Sequence, residues 1–501
     1  MKAESPATPR WRYLSVCCVL IVLAGVLMGR LVMLQVTEEG QGAVFLREQG
    51  AMRTVRTAEI PVYRGLIEDR HGTPLAISSP VVSLWANPQQ LKDSPRLAEL
   101  SALLGVDAAV LKDKLALYGN KHFMYLARHQ APDFARQILQ ERFPGVRGER
   151  AYRRYYPAGE VTAQVLGLTN VDGEGIAGIE LAFEQWLQGV PGKKRFIKDL
   201  HGEAVRDFGL ITKPRPGKAL SLSLDLRLQY VQHRELQRAM KETGAVAGSA
   251  ITIDAWTGEI LAVSNYPVFN PNNREAFDDS AARNRALTDV YEPGSTIKTL
   301  TLIAALESGQ FTIDSLVDTA PGRIRVGSKV LHDPRNYGEI SVSKIIEKSS
   351  QVGVTKLAQA VGHEAILEVL LRFGFGTQTG TGFPGERAGS LPSMMHWSEI
   401  EKVTVAFGYG LNATPIQLAQ AYSILANDGV RQPLTLLKQD RETLPVGKRV
   451  VDAQVAQDVL RVLGRVTGAG GTATLAQVPG FSVGGKTGTV HKVGATGYLD
   501  D

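Results

Sequence analysis

The sequence predicts an α+β protein held by a single N-terminal apolar helix, with an elongated domain followed by a sheet-and-helix domain. Three observations predict it. Residues 13–29 carry no formal charge and read as one apolar helix. Lys213-Pro214-Arg215-Pro216-Gly217-Lys218 breaks every periodic pattern and marks a domain boundary. Beyond it, strand and helix signals mix without βαβ order. Leu220 to Asp225 alternates as a strand, and residues 226–240 have helical period. Residues 250–263 then form two strands turning at Thr257-Gly258. Such a hairpin-built antiparallel sheet flanked by helices belongs to the α+β class.

The composition narrows the field. The chain has 501 residues, 44% of them hydrophobic and 21% charged, which suffices for two or three domains with full cores. The net charge of +6 is a mild excess scattered along the chain, so nucleic-acid binding is not expected. The nine histidines are scattered and no HExxH is present, so neither a metal nor a cofactor is expected. The two cysteines, Cys17 and Cys18, lie inside the apolar run, leaving the rest of the chain without disulfides.

The apolar run continues past Arg30, so residues 13–36 are expected to be a transmembrane anchor with Arg30 snorkelling. Lys2, Arg10 and Arg12 precede it, which predicts a cytoplasmic tail at 1–12 and a single pass of the inner membrane. The following domains then stand in the periplasm. A cleaved signal peptide is the competing reading, but no A-x-A site follows the run.

Residues 38–57 are polar and are expected to form a stalk. Residues 63–76 read as a hairpin around Asp69-Arg70-His71-Gly72, with Arg64, Asp69 and Arg70 in an ion-pair network at the turn. Residues 88–145 are expected to be a helical subdomain. Arg154-Tyr155-Tyr156-Pro157-Ala158-Gly159 marks an extended segment and a turn. Gly175 to Glu180 leads into an amphipathic helix, and Glu180 is expected to partner one of the earlier arginines.

The chemistry centres on Glu292-Pro293-Gly294-Ser295-Thr296-Ile297-Lys298. The Pro-Gly turn opens an apolar helix, and residues at i and i+3 share a face, so Lys298 is expected to reach Ser295. A lysine desolvated by apolar neighbours can serve as the base that a serine nucleophile needs. A second Ser-x-x-Lys, Ser341 to Lys344, lacks the turn and the buried helix and is expected to be a solvated face. Two further motifs follow: Lys348-Ser349-Ser350-Gln351, a polar knot before a helix, and Gly484-Gly485-Lys486-Thr487-Gly488-Thr489, read as a Gly-rich strand.

Ser-x-x-Lys, Ser-x-amide and Lys-Thr-Gly in this order are the signatures of penicillin-recognising serine enzymes. From the anchor to the last residue, the chain resembles class B penicillin-binding proteins, most closely the division-specific septal transpeptidases of Gram-negative bacteria. The motifs around Arg64 and Arg70, around Arg154 and at Gly175 to Glu180 are similar to that class's non-catalytic domain. Those from Glu292 to Ser295 and from Phe407 to Gln417 are similar to its transpeptidase domain.

The resemblance implies a non-catalytic pedestal at 37–215, of the dimerisation type, and a transpeptidase domain at 216–501. It implies that Ser295 attacks the penultimate D-Ala carbonyl of a peptidoglycan stem peptide, that Lys298 takes the serine proton, and that Ser349 and Lys486 relay a proton to the leaving amine. Gln351, Thr487, Gly488 and Thr489 would bind substrate, and the Ser295 and Thr489 N–H groups would hold the oxyanion. Arg64, Arg70, Arg154 and Glu180 would be structural. β-Lactams would acylate Ser295. A membrane glycosyltransferase and other division-complex proteins are the implied partners.

Two departures stand out. Gln351 occupies a position that is usually Asn, displacing the amide by about one bond length. The family pattern also continues beyond Asp501 with two strands and a helix, so the transpeptidase domain is expected to be C-terminally incomplete.

Three rival readings remain. Gly480 to Thr487 fits a P-loop pattern, but Pro479 precedes it and Gly488 and Gly494 follow, where strand and helix are required. A β-lactamase or β-lactam sensor would share the motifs but not the anchor and pedestal. A catalytically weak scaffold of the division machinery shares everything except turnover.

Overall fold

The computed structural model describes residues 9–36, 44–45, 55–198, 204–273, 278–392, 397–490, 493–494 and 497–498. The expected tail before residue 9 and most of the expected stalk lie outside the described residues. By contacts the chain divides into two compact units, Met1–Val62 with Gly189–Pro216, and Tyr63–Gln188 with Gly217–Asp501.

The first unit contains the helix Arg10–Val36, which holds Cys17 and Cys18 as free thiols. Its stretch Arg10–Gln35 has mean hydropathy 2.6 and none of it is buried, so it is long and apolar enough to cross a membrane. The same unit carries an antiparallel sheet in which Gly192–Lys198 lies between Val55–Ile60 and Ala204–Thr212. The end of the expected stalk is therefore strand.

The second unit opens on the expected hairpin, Ile67–Glu68 against Pro74–Ala86. The long strand Pro74–Ala86 also pairs with Met124–Gln130 and Val146–Tyr155, and Leu220–Ser221 runs parallel to Ile67–Glu68. The region 88–145 is thus not wholly helical. Between the helices Ala108–Leu117 and Pro132–Gln140, Met124–Gln130 is drawn into the sheet by pairing with a distant strand. Local propensity does not encode such pairing.

The strand Val146–Tyr155 contributes Arg154 to a buried charge cluster. Glu180 is fully buried and accepts from Arg64 Nε at 2.5 Å and from Arg154 Nε at 2.6 Å. Arg64 also meets Glu184 at 2.7 Å, and Arg154 donates to the Gly65 carbonyl at 2.8 Å. The expected network among Arg64, Asp69 and Arg70 does not form. Arg70 reaches instead to Glu259 of the later hairpin, at 3.1 Å. Asp69 accepts from the N–H groups of His71, Thr73 and Leu226, which satisfies the turn and the start of the next helix.

Asp225 caps the helix Leu226–Thr243, and Gly248–Ile253 pairs with Ile260–Tyr266 as an antiparallel hairpin. Among the described residues this ladder has two strands, prolonged by a bridge from Glu259 to Thr435. At the turn, Gly258 has φ +74, and a Cβ there would stand 2.3 Å from the Pro433 carbonyl. Helices Lys298–Glu307, Gln351–Val361, His363–Arg372 and Ala453–Thr467 share a core that includes Leu300, Ile303, Ile345, Val354, Leu370 and Leu463.

The expected strand through Lys486 is not one. Residues 482–490 have no ladder partner among the described residues. They lie instead against the end of the helix Ala453–Thr467, where the Thr467 hydroxyl donates to the Val483 carbonyl at 2.6 Å and Gly485 N–H donates to the Leu463 carbonyl at 3.3 Å.

Removing one partner of a buried ion cluster leaves charge uncompensated and costs about 3–5 kcal/mol. Glu180→Gln should therefore lower stability by about that much in thermal or denaturant unfolding. Glu99→Gln, which breaks the exposed pair with Arg96, should leave the transition nearly unmoved.

Candidate active site

The turn that carries Ser295 is fixed by glycine. Gly294 has φ +59 and donates its N–H to the Gly408 carbonyl at 3.1 Å. A Cβ on Gly408 would stand 2.1 Å from the Gly294 carbonyl, so only glycine fits beneath the turn. Glu292 accepts from Gly410 N–H at 2.8 Å, tying both ends of this crossing. The chain then runs as a 3₁₀ turn, Gly294–Ile297, before the α-helix Lys298–Glu307 begins. Ser295 is half-buried and Lys298 is 1% exposed.

Among the described residues, Lys298 does not bond Ser295, contrary to the expectation from the shared helix face. Its Nζ donates to the Ser349 carbonyl at 2.6 Å and to Ser349 Oγ at 3.2 Å. The tighter 3₁₀ winding between the two residues and the pull of the Ser349 carbonyl redirect the amine. Catalytic hydrogen bonds are often long before substrate arrives.

Burial, then the nearby Lys486 cation, lowers the Lys298 pKa to about 7, with Asp333 opposing. Lys486 Nζ donates to the same Ser349 Oγ at 3.0 Å and to the Thr487 carbonyl at 3.0 Å. Burial lowers its pKa to about 8. The Ser349 hydroxyl thus stands between two amines titrating close to neutrality.

Ser349 has φ +56, in the left-handed region, at the joint between helices Val342–Glu347 and Gln351–Val361. Ser350 caps the second helix by accepting from Gly353 N–H at 2.8 Å. Asp333 holds the joint: it accepts from Ser350 Oγ and from Gln351 N–H, each at 2.6 Å, and from Val352 N–H at 3.2 Å. An acid at the N-terminus of a helix is also well placed against the macrodipole. Gln351 is half-buried, and among the described residues its side-chain amide makes no hydrogen bond.

Residues 486–489 pass beside the Ser295 turn. A Cβ on Gly488 would stand 3.1 Å from Thr296 Cγ2 and 3.2 Å from the Pro293 carbonyl, so a side chain there would push the segment off the turn. Thr487 Oγ1 meets Thr472 Oγ1 at 3.2 Å, and Thr489 is exposed. Ser295, Lys298, Ser349, Gln351 and Lys486 to Thr489 therefore converge. Arg64, Arg70, Arg154 and Glu180 lie in the framework described above. In the second Ser-x-x-Lys, Ser341 caps the helix Val342–Glu347 and Lys344, its side chain 43% exposed, pairs with Glu347, while Ser343 between them is fully buried and accepts from Arg465 at 2.8 Å.

Sequence reading missed Asp333 and Tyr422. Neither lies in a motif, and only the buried bonds they make single them out.

Two family profiles match the chain: the penicillin binding protein transpeptidase domain over residues 248–501, and the penicillin-binding protein dimerisation domain over 59–222. The chain is 39% identical over 495 residues to the peptidoglycan D,D-transpeptidase FtsI of Escherichia coli K12, covering 97% of this chain and 82% of that protein. It is 38% identical to a probable peptidoglycan D,D-transpeptidase, PbpC, of Pseudomonas aeruginosa, covering 98% of this chain and 86% of the relative. Among solved structures, penicillin binding protein 3 of Mycobacterium tuberculosis, complexed with aztreonam, superposes with TM-score 0.67 at 29% identity, covering 89% of this chain and 85% of that one. With both domains matched and this identity sustained along nearly the whole chain, the protein belongs to the penicillin-binding proteins of the peptidoglycan D,D-transpeptidase family.

Proposed function

We propose that this protein cross-links peptidoglycan stem peptides during septal wall synthesis through an acyl-enzyme on Ser295. One observation carries the reading: the buried amine of Lys298 and the amine of Lys486 both hold the Ser349 hydroxyl, beside the turn that presents Ser295. In this reading neutral Lys298 takes the Ser295 proton as Oγ bonds to the penultimate D-Ala carbonyl carbon. The developing oxyanion is held by backbone N–H groups, those of Ser295 and Thr489. Collapse breaks the C–N bond, and the leaving amine of the terminal D-Ala takes a proton through Ser349, with Lys486 supplying positive charge. Gln351, Thr487, Gly488 and Thr489 orient the substrate, whose carboxylate faces the two threonines. The amine of a neighbouring stem peptide then displaces Ser295 and completes the cross-link. A β-lactam follows the first half of this path and leaves a slow ester.

The same reading assigns residues 1–12 to a cytoplasmic tail, 13–36 to an inner-membrane anchor, 37–215 to a periplasmic pedestal and 216 onward to the transpeptidase domain. The positive residues ahead of the apolar helix support that orientation. A membrane glycosyltransferase and division-complex proteins are the partners it requires.

Incubation of the full chain with labelled penicillin, followed by peptide mapping, should recover label at Ser295. Ser295→Ala should abolish it, and Lys298→Ala should slow acylation at least ~100-fold, the loss expected of a general base. Label on another serine would overturn the assignment.

The pH profile is a second check. Lys298 must be neutral to accept a proton and Lys486 charged to support the relay. Acylation should rise with pH through about 7 as Lys298 deprotonates and fall above about 8 as Lys486 does. In Lys486→Arg the falling limb should disappear, since arginine stays charged.

Among the described residues the Gln351 amide makes no hydrogen bond, which fits a role in holding substrate. Gln351→Asn should change the acylation rate by less than about tenfold, or ~1.4 kcal/mol. A gain above about 100-fold would mean that glutamine has disabled the natural site and would favour the scaffold role.

A further inference from the structure

We infer that Tyr422, which lies outside the sequence motifs, is a positioning residue that sets the spacing between Ser295 and Lys298. The inference rests on the roles proposed above for those two residues. Tyr422 belongs to the helix Pro415–Ala426, which begins with a full capping box at Thr414 and Gln417. Gln417 in turn donates to the carbonyls of Thr377 and Ala388, at 2.8 and 2.7 Å. The helix is therefore fixed at its start by bonds that do not involve the nucleophile.

From this fixed helix the Tyr422 hydroxyl donates to the Thr296 carbonyl at 2.9 Å and meets Thr299 Oγ1 at 3.0 Å. Thr296 and Thr299 bracket Lys298, and Thr296 immediately follows Ser295. Thr299 is fully buried. Burial drives the phenol's pKa up, so at neutral pH it remains an O–H able to donate.

The spacing at stake is set by winding. Three residues of 3₁₀ turn rise about 6 Å and three of α-helix about 4.5 Å, so a change of winding moves the hydroxyl against the amine by about 1.5 Å. A misplacement near 1 Å can cost about a hundredfold in rate. The 3₁₀ segment Gly294–Ile297 is held locally by Thr296 Oγ1 donating to the Pro293 carbonyl at 2.7 Å. Among the described residues, Tyr422 is the side chain from another helix that hydrogen-bonds a backbone carbonyl of this segment. It anchors the turn to a rigid neighbour, where the α-helix would otherwise propagate backward through Ser295.

The test is Tyr422→Phe in the full chain, which keeps the ring and removes the hydroxyl. With labelled penicillin, the first-order acylation rate at saturation should fall about tenfold while the half-saturating concentration stays put. Label should remain on Ser295. Rates counted per labelled molecule report only folded protein, so a lower yield does not blur the result. In a Lys298→Ala background the further loss from Tyr422→Phe should shrink to less than about twofold, because there is no amine left to position. A merely structural tyrosine would give the same factor in both backgrounds. An unchanged rate in Tyr422→Phe, or equal losses with and without Lys298, overturns the inference. Absence of label from Ser295 in the unmodified protein would instead overturn the underlying assignment.

Discussion

Lys298 is buried to 1% exposure with its amine against a backbone carbonyl, a hydroxyl and a second amine nearby. Moving its pKa from 10.5 to about 7 corresponds to disfavouring the cation by on the order of 5 kcal/mol. The sign follows from linkage. The unfolded chain holds this proton up to about 10.5 and the folded chain only to about 7, so the penalty is full below pH 7 and fades as pH rises to 10.5. At neutral pH the fold still carries nearly all of that cost, and it obtains a lysine that is about half neutral, which is what proton abstraction needs.

The neighbourhood is arranged to keep that lysine buried and aimed. The Gly294–Gly408 crossing brings two backbones closer than any side chain permits. Ser349, in its left-handed conformation, turns both its carbonyl and its hydroxyl toward the amine. A non-glycine residue held there costs of order 1–3 kcal/mol, and Asp333 offsets it with three bonds to the following residues, two of them at 2.6 Å. Strain and desolvation are thus concentrated where the chemistry occurs, and the surrounding helical core supplies the stability that tolerates them.

The second group of buried charges has another purpose. Glu180 and Glu184 together balance Arg64 and Arg154, and those arginines also donate to backbone carbonyls at residues 65, 173 and 180. These bonds join segments far apart in sequence where no apolar side chain could satisfy the backbone. Arg70 and Glu259 make a similar tie between the first hairpin and the later one.

The sequence by itself determined the apolar helix, the hairpins, the cap at Asp225, the Pro-Gly turn and the three motifs. Each rests on composition, period or spacing within a few residues, where covalent geometry alone limits the outcome. It also pointed to Glu180 as a partner for one of the earlier arginines. Only the tertiary structure decided which arginines those are, and that Arg70 serves Glu259. It decided that Met124–Gln130 is strand and that residues 482–490 lie along a helix end without a ladder. It also turned Lys298 toward Ser349 and recruited Asp333 and Tyr422. These outcomes depend on hydrogen bonds between residues from 16 to 189 positions apart. Such partners leave no periodic trace, because a donor is satisfied by whatever acceptor the packed chain brings within about 3 Å.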